Sequence, residues 1–132
     1  MSKKIETLYK GKYTSNTKTP LNEDDVVVNA VSFTPVDLLV SAYGSCLLGT
    51  IDYEAHKKGF EVVQAKSEIT YNMSEDGSKV SLMNIKLTFE KDYTADEKTI
   101  IENATVNCHV GKSLDPSISR NFDFNYNQKK SS

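Results

Sequence analysis

The 132 residues carry 16 lysines and arginines against 18 aspartates and glutamates, for a formal net charge of −2. A near-balanced chain has no net field with which to hold DNA, RNA or an anionic membrane, which leaves a small molecule or another copy of itself as the expected partner. The length suits one domain, 1–132, and a chain this short buries only about two-thirds of the surface its unfolded form exposes, so self-association is an expected source of further burial.

The start, Met-Ser-Lys-Lys-Ile-Glu, lacks the apolar centre of a signal peptide, and the most apolar run is interrupted by Asp37 and Asp52. A cytoplasmic protein without membrane spans is expected. Residues 5–20, IETLYKGKYTSNTKTP, mix β-favouring types with Gly11 and Pro20 and predict short strands joined by a turn. VVVNAVSF, after the acidic NEDD, predicts another strand.

A helix boundary follows. Thr34 suits the N-cap, Pro35 the first turn, and Asp37 stands three residues after Thr34 as in a capping box. Gly59 suits the C-cap, so a long helix is predicted from about Pro35 to Lys58. It is apolar or small on every side, which predicts cover on more than one face.

From Phe60 the period becomes two. FEVVQAKSEITYNM and VSLMNIKLTFE flank a turn containing Asp76-Gly77 and predict a β-hairpin, with Ile69, Tyr71, Ile85, Leu87 and Phe89 facing inward. Thr94 and Glu97 then form a second capping signature, opening a helix through about Asn107. Phe122, Phe124 and Tyr126 alternate as in a strand, and QKKSS reads as a solvated tail. Strands, helix, hairpin, helix and strand in that order predict an α+β fold with helices on a largely antiparallel sheet.

Chemistry centres on two cysteines, too few for a secreted disulfide scaffold; a bond between them in the cytosol would be redox-active rather than structural. Cys46 lies mid-helix, with Leu39, Ala42, Tyr43, Thr50 and Tyr53 on its face and Leu47 toward the other. It reads first as a small buried hydrophobe, and as a reactive thiol only if something stabilises its anion. The helix dipole does not reach it: Cys46 stands 11 residues after Pro35, roughly 16 Å along the axis, and the dipole fades within one turn. A cation from elsewhere in the chain is the expected source. Cys108 lies at the end of the second helix, on the stripe of Ile100, Ile101 and Ala104, and also reads as core or as a partner for Cys46. His56 and His109 show no metal-ligand spacing, so no metal and no other cofactor is expected.

TPVDLLVSAYGSCL resembles the helix signature of the osmotically inducible protein C and organic hydroperoxide resistance (OsmC/Ohr) family, and NCHVGKSL resembles its second signature, Cys-Pro-Val-x-Lys-x-Leu. The resemblance implies the OsmC-like fold, an intertwined homodimer with sites at the interface, and thiol-dependent reduction of organic hydroperoxides in oxidative stress defence. It also implies a dithiol reductant, lipoyl-type or a small thiol. Within it, Cys46 corresponds to the peroxidatic and Cys108 to the resolving cysteine, with Leu39, Tyr43 and Leu47 as an apolar substrate lining. The hydroperoxide resistance branch pairs its cysteine with an arginine from an early strand, held by a glutamate; the best alignment places Thr14 and Val36 there. Asp37, Lys112 and Arg120, the chain's only arginine, are then the candidate supporting charges. Two other functions stay open: a non-catalytic dimer that binds an apolar small molecule, and a thiol redox sensor or sulfur carrier.

Overall fold

A computed structural model describes residues 4–18 and 24–128. Pro20, the first residues of the NEDD run, the Met-Ser-Lys start and the tail after Gln128 lie outside the described residues. The chain forms two compact units, Met1–Ser41 and Ala42–Ser132.

The first unit holds a three-stranded antiparallel sheet in the order β1 (Glu6–Gly11), β2 (Thr14–Lys18), β3 (Val26–Val28). The strand expected over VVVNAVSF stops at Val28. Asn29 is the reason: its side-chain carbonyl accepts from the backbone N–H groups of Val31 and Ser32 at 2.8 and 2.7 Å, replacing ladder bonds with a local turn. That turn delivers the chain to the start of α1 (Pro35–Lys57). There the Thr34 hydroxyl accepts from the Asp37 N–H at 3.1 Å, and the Asp37 carboxylate accepts from the Thr34 N–H at 2.9 Å. Two helical donors without intrahelical partners are thereby satisfied.

The second unit contains the rest of α1 and a sheet ordered β4 (Ala65–Met73), β5 (Val80–Phe89), β6 (Ser119–Asn125). β4 and β5 form the expected antiparallel hairpin. β6 runs parallel to β5, with Ile85 opposite Phe122 and Leu87 opposite Phe124, so this sheet is mixed. A parallel pairing needs a crossover. It is supplied by α2 (Ala95–Ala104), a 3-10 turn at Thr105–Asn107 and the short α3 (His109–Ser113). The reciprocal Thr94 and Glu97 cap of α2 is present, and the helix ends slightly earlier than expected because the 3-10 turn takes over its last residues.

α1 ends in a Schellman turn. Gly59, at φ +87°, donates to the His56 carbonyl and Phe60 donates to the Ala55 carbonyl, both at 3.1 Å. Along α1 in this unit Tyr43, Leu47, Ile51 and Ala55 are buried as one stripe at helical spacing, with Gly44 buried beside them, whereas Ala42, Ser45 and Gly49 are exposed. The core collects that stripe with Met83, Ile85, Leu87 and Phe89 of β5 and Ile101, Ala104 and Cys108 of the crossover. Gly44 sits directly over β4: a Cβ there would stand 2.5 Å from the Ser67 hydroxyl, so the glycine lets the helix approach the sheet closely. Of the expected inward set, Ile85, Leu87 and Phe89 are fully buried and Ile69 and Tyr71 half-buried, as befits an edge strand. Among the described residues, no helix is long and apolar enough to cross a membrane.

Candidate functional site

The short helix α3 starts where two sulfur atoms meet. Cys108 is its N-cap, in extended conformation, and its fully buried sulfur accepts the Gly111 N–H at 3.4 Å. The preceding two N–H groups, of His109 and Val110, act on Cys46 of α1 and lower its pKa. The first amides of a helix have no intrahelical acceptor; here sulfur takes the place of the usual hydroxyl or carboxylate cap.

Cys46 also neighbours the Cys108 thiol, which acts on its ionisation, and its sulfur is hydrogen-bonded with the Thr50 hydroxyl one turn along α1 at 3.8 Å. Burial opposes ionisation of Cys46, but the Val110 N–H, the Cys108 thiol, the Thr50 hydroxyl and the His109 N–H together outweigh it, and its pKa falls below the ordinary thiol value. Cys108 goes the other way. Burial and the adjoining Cys46 push it up to about 11, against the smaller pull of the Gly111 and Val110 amides. Two neighbouring thiols thus divide into one that ionises early and one that holds its proton. The leading groups that lower the Cys46 pKa are two backbone amides, a thiol and a hydroxyl, none of which has a signature charge in sequence.

The candidate charges lie as follows. Asp37 takes part in the cap of α1. Arg120, on β6, donates from Nη1 to the Gly111 carbonyl at 2.9 Å and from Nη2 to the Asp115 carbonyl at 3.3 Å. Its guanidinium carbon stands 5.4 Å from the centre of the Tyr43 ring. Lys112 is exposed and lines a surface cleft of about 740 Å³ that reaches Cys46. Thr50, Tyr53, Glu54, Lys57 and His109 also border this cleft. Glu54 is engaged by Lys57 at 2.9 Å and by the Asn107 amide at 3.4 Å.

Tyr43 and Leu47, expected in an apolar lining, are 1% and 0% exposed and belong to the core; they are not among the residues bordering this cleft. Leu39 is 41% exposed on the first unit. Burial pushes the Tyr43 phenol up, while the hydrogen bond and charge of Arg120 pull it down. Gly111 carries the tightest packing in the site: a Cβ there would stand 2.9 Å from Tyr43 Cε1 and 3.3 Å from Arg120 Nη1. The roles of Gly111, of the α3 amides and of the Arg120 fork were missed in the sequence, where only the glycine inside a cysteine motif gave any signal.

The sequence profile of the OsmC-like protein family matches residues 28–122, nearly three-quarters of the chain and both cysteines. The chain belongs to the OsmC-like family. Solved OsmC-like structures share its fold. A putative osmotic stress induced and detoxification response protein from Psychrobacter arcticus superposes with a TM-score of 0.84 at 23% identity, covering 94% of this chain and 96% of its own. An OsmC-like protein from Mycoplasma pneumoniae gives 0.74 at 18% identity, with 96% and 97% covered. The organic hydroperoxide resistance protein OhrB of Bacillus subtilis gives 0.70 at 12% identity, with 94% and 98% covered. No curated protein matches the sequence.

Proposed function

We propose that this OsmC-like chain is a thiol-dependent peroxidase that reduces organic hydroperoxides, with Cys46 as nucleophile and Cys108 as resolving thiol. The observation that carries the reading is a pair of neighbouring thiols in two different settings, Cys46 on the cleft beside Thr50 and Cys108 buried as the cap of α3, whose pKa values are driven apart, Cys46 down and Cys108 up. Family membership and the fold shared with a protein named for organic hydroperoxide resistance support it.

The chemistry follows from that division. The Cys46 thiolate attacks the distal oxygen of R–O–O–H; an S–O bond forms, the O–O bond breaks, and the alkoxide leaves as the alcohol after taking a proton. The two electrons come from sulfur, and Cys46 is left as a neutral sulfenic acid. Its negative charge is then gone, so the neighbour that helped to raise the Cys108 pKa no longer opposes ionisation. The Cys108 sulfur displaces hydroxide from Cys46, an S–S bond forms as S–O breaks, and the Cys108 proton leaves with the hydroxide as water. A dithiol, lipoyl-type or small, returns both cysteines to thiols and is itself oxidised to a disulfide.

The same reading takes the chain as a single-domain homodimer acting in the cytoplasm. Exposed apolar side chains such as Tyr53 and Val106, 64% and 71% exposed, are consistent with a partner copy. The test is consumption of cumene hydroperoxide with dihydrolipoamide as reductant. Wild type is expected to consume it and Cys46→Ser to be inert; equal rates for the two would overturn the proposal.

A further inference from the structure

Arg120 makes no ion pair with a carboxylate among the described residues; its hydrogen bonds to backbone go to the carbonyls of Gly111 and Asp115. Both lie on the segment that follows Cys108. A guanidinium offers donors in a rigid planar fork, so two carbonyls held by one fork are fixed relative to each other and to the strand that carries it.

The other side of the same guanidinium contacts rests on Tyr43, which precedes Cys46 by three positions on α1, one helical turn away. Gly111 closes the ring. Its carbonyl is bound by Arg120, its N–H by the Cys108 sulfur, and its Cα packs so near the Tyr43 ring that no side chain fits between them. Starting from Cys46, the path runs along α1 to Tyr43, across to Arg120, onto Gly111 and back to Cys108. Arg120 touches neither sulfur in this path.

We infer that Arg120 is a positioning residue that seats the Cys108 turn on α1 and thereby sets how fast Cys108 closes onto oxidised Cys46. The inference rests on the peroxidase reading for its physiological meaning. Closure requires the Cys108 sulfur to approach Cys46 in line with the bond that breaks, and a reaction between two held groups loses rate steeply when one is displaced. The first step, attack on the hydroperoxide, draws on this turn only through the ionisation of Cys46, which its amides and the Cys108 thiol favour; once pH has made Cys46 fully thiolate, the attack uses Cys46 and the cleft beside it alone. Arg120 therefore acts on the second step.

At a pH on the alkylation plateau of Cys46 in each variant, where Cys46 is fully thiolate, reduced protein is mixed with one equivalent of cumene hydroperoxide without reductant, and dimedone-trapped sulfenic acid and Cys46–Cys108 disulfide are counted by mass spectrometry over time. Arg120→Met is expected to form the sulfenic acid within about twofold of the wild-type rate but to close the disulfide about tenfold more slowly or worse, so that trapped sulfenic acid accumulates. Arg120→Lys, which keeps the charge but loses the fork, is expected to fall between the two. Equal closure rates in Arg120→Met and wild type would overturn the inference, as would a common slowing of both steps, the mark of general misfolding or of action on Cys46.

A second arm needs no peroxide. A mixed disulfide of Cys46 with thionitrobenzoate is prepared, and Cys108 displaces the coloured thiol as the Cys46–Cys108 bond forms. Slower release in Arg120→Met supports positioning even if wild-type Cys46 proves inert to hydroperoxide, a result that would sink the peroxidase reading alone; equal release overturns positioning.

Discussion

The Cys108 sulfur accepts the Gly111 N–H at 3.4 Å as the N-cap of α3, and the same thiol lowers the pKa of its neighbour Cys46, so one side chain caps a helix and supports an anion together. This double use orders the chemistry. Cys108 stabilises the anion of its neighbour only while it keeps its proton, and burial helps it keep that proton. Replacing Cys108 by alanine removes that thiol and leaves the two α3 amides and Thr50. The pKa of Cys46 in Cys108→Ala is therefore expected to rise relative to wild type. The pH dependence of iodoacetamide alkylation, followed by mass spectrometry, measures this; an unchanged or lower midpoint would show that the thiol contributes nothing to the anion.

The wild-type profile follows from the same two directions. Alkylation requires thiolate, whose fraction grows as pH rises through the pKa of the group. Cys46, lowered by its amide, thiol and hydroxyl partners, is expected to reach its plateau below the pH at which an ordinary thiol does. Cys108, held near about 11, is expected to stay unmodified throughout the neutral range. Peptide-level alkylation from pH 5 to 11 reads both at once. Simultaneous modification of the two residues would contradict the division of roles.

How far the sequence reveals this arrangement differs from one element to another. The start and end of α1 are written in side chains and a glycine that act locally, Thr34, Asp37 and Gly59, and each does there what its chemistry suggests. The two cysteines stand out by motif. What the sequence hides is whatever is made of backbone or of distant pairs. The amides of His109 and Val110 have no residue signature, so a cation was the natural expectation in their place. Tyr43 and Arg120 are separated by most of the second unit, and their contact depends on β6 lying parallel to β5, a pairing that alternation of apolar residues cannot distinguish from an antiparallel one. The end of the β3 strand at Val28 turns on one side-chain carbonyl, that of Asn29, within a run that otherwise favours strand.

Gly111→Ala tests the packing between α3 and α1. The added methyl would stand 2.9 Å from a ring carbon of Tyr43, which is 1% exposed and has nowhere to move without disturbing the core. Overpacking of this kind costs about 1–3 kcal/mol, so the urea midpoint is expected to fall by a corresponding amount. Relief of the clash would displace the Cys108 turn, so slower disulfide closure is expected in the same variant. A midpoint equal to wild type would mean that α3 can shift freely, contrary to the bonds that hold its carbonyl and amide.

Two glycines at the middle and end of α1 allow backbone effects to be separated from contacts. At both Gly49 and Gly59 a Cβ would meet nothing within 4 Å, so alanine adds no clash within the chain at either position. Their conformations differ. Gly49 is an ordinary mid-helix residue, where alanine is favoured over glycine by about 0.8–1 kcal/mol through the lost freedom of the unfolded chain. Gly59 sits at φ +87°, where an L side chain is disfavoured by roughly 1–2 kcal/mol. Gly49→Ala is therefore expected to raise the urea midpoint and Gly59→Ala to lower it, by similar amounts and in opposite directions. Gly49 also borders the Cys46 cleft, which gives its sign a second use. If Gly49→Ala destabilises instead, something outside the single chain occupies the space beside it, and sedimentation of the two variants would show whether that is a second copy whose association the methyl weakens.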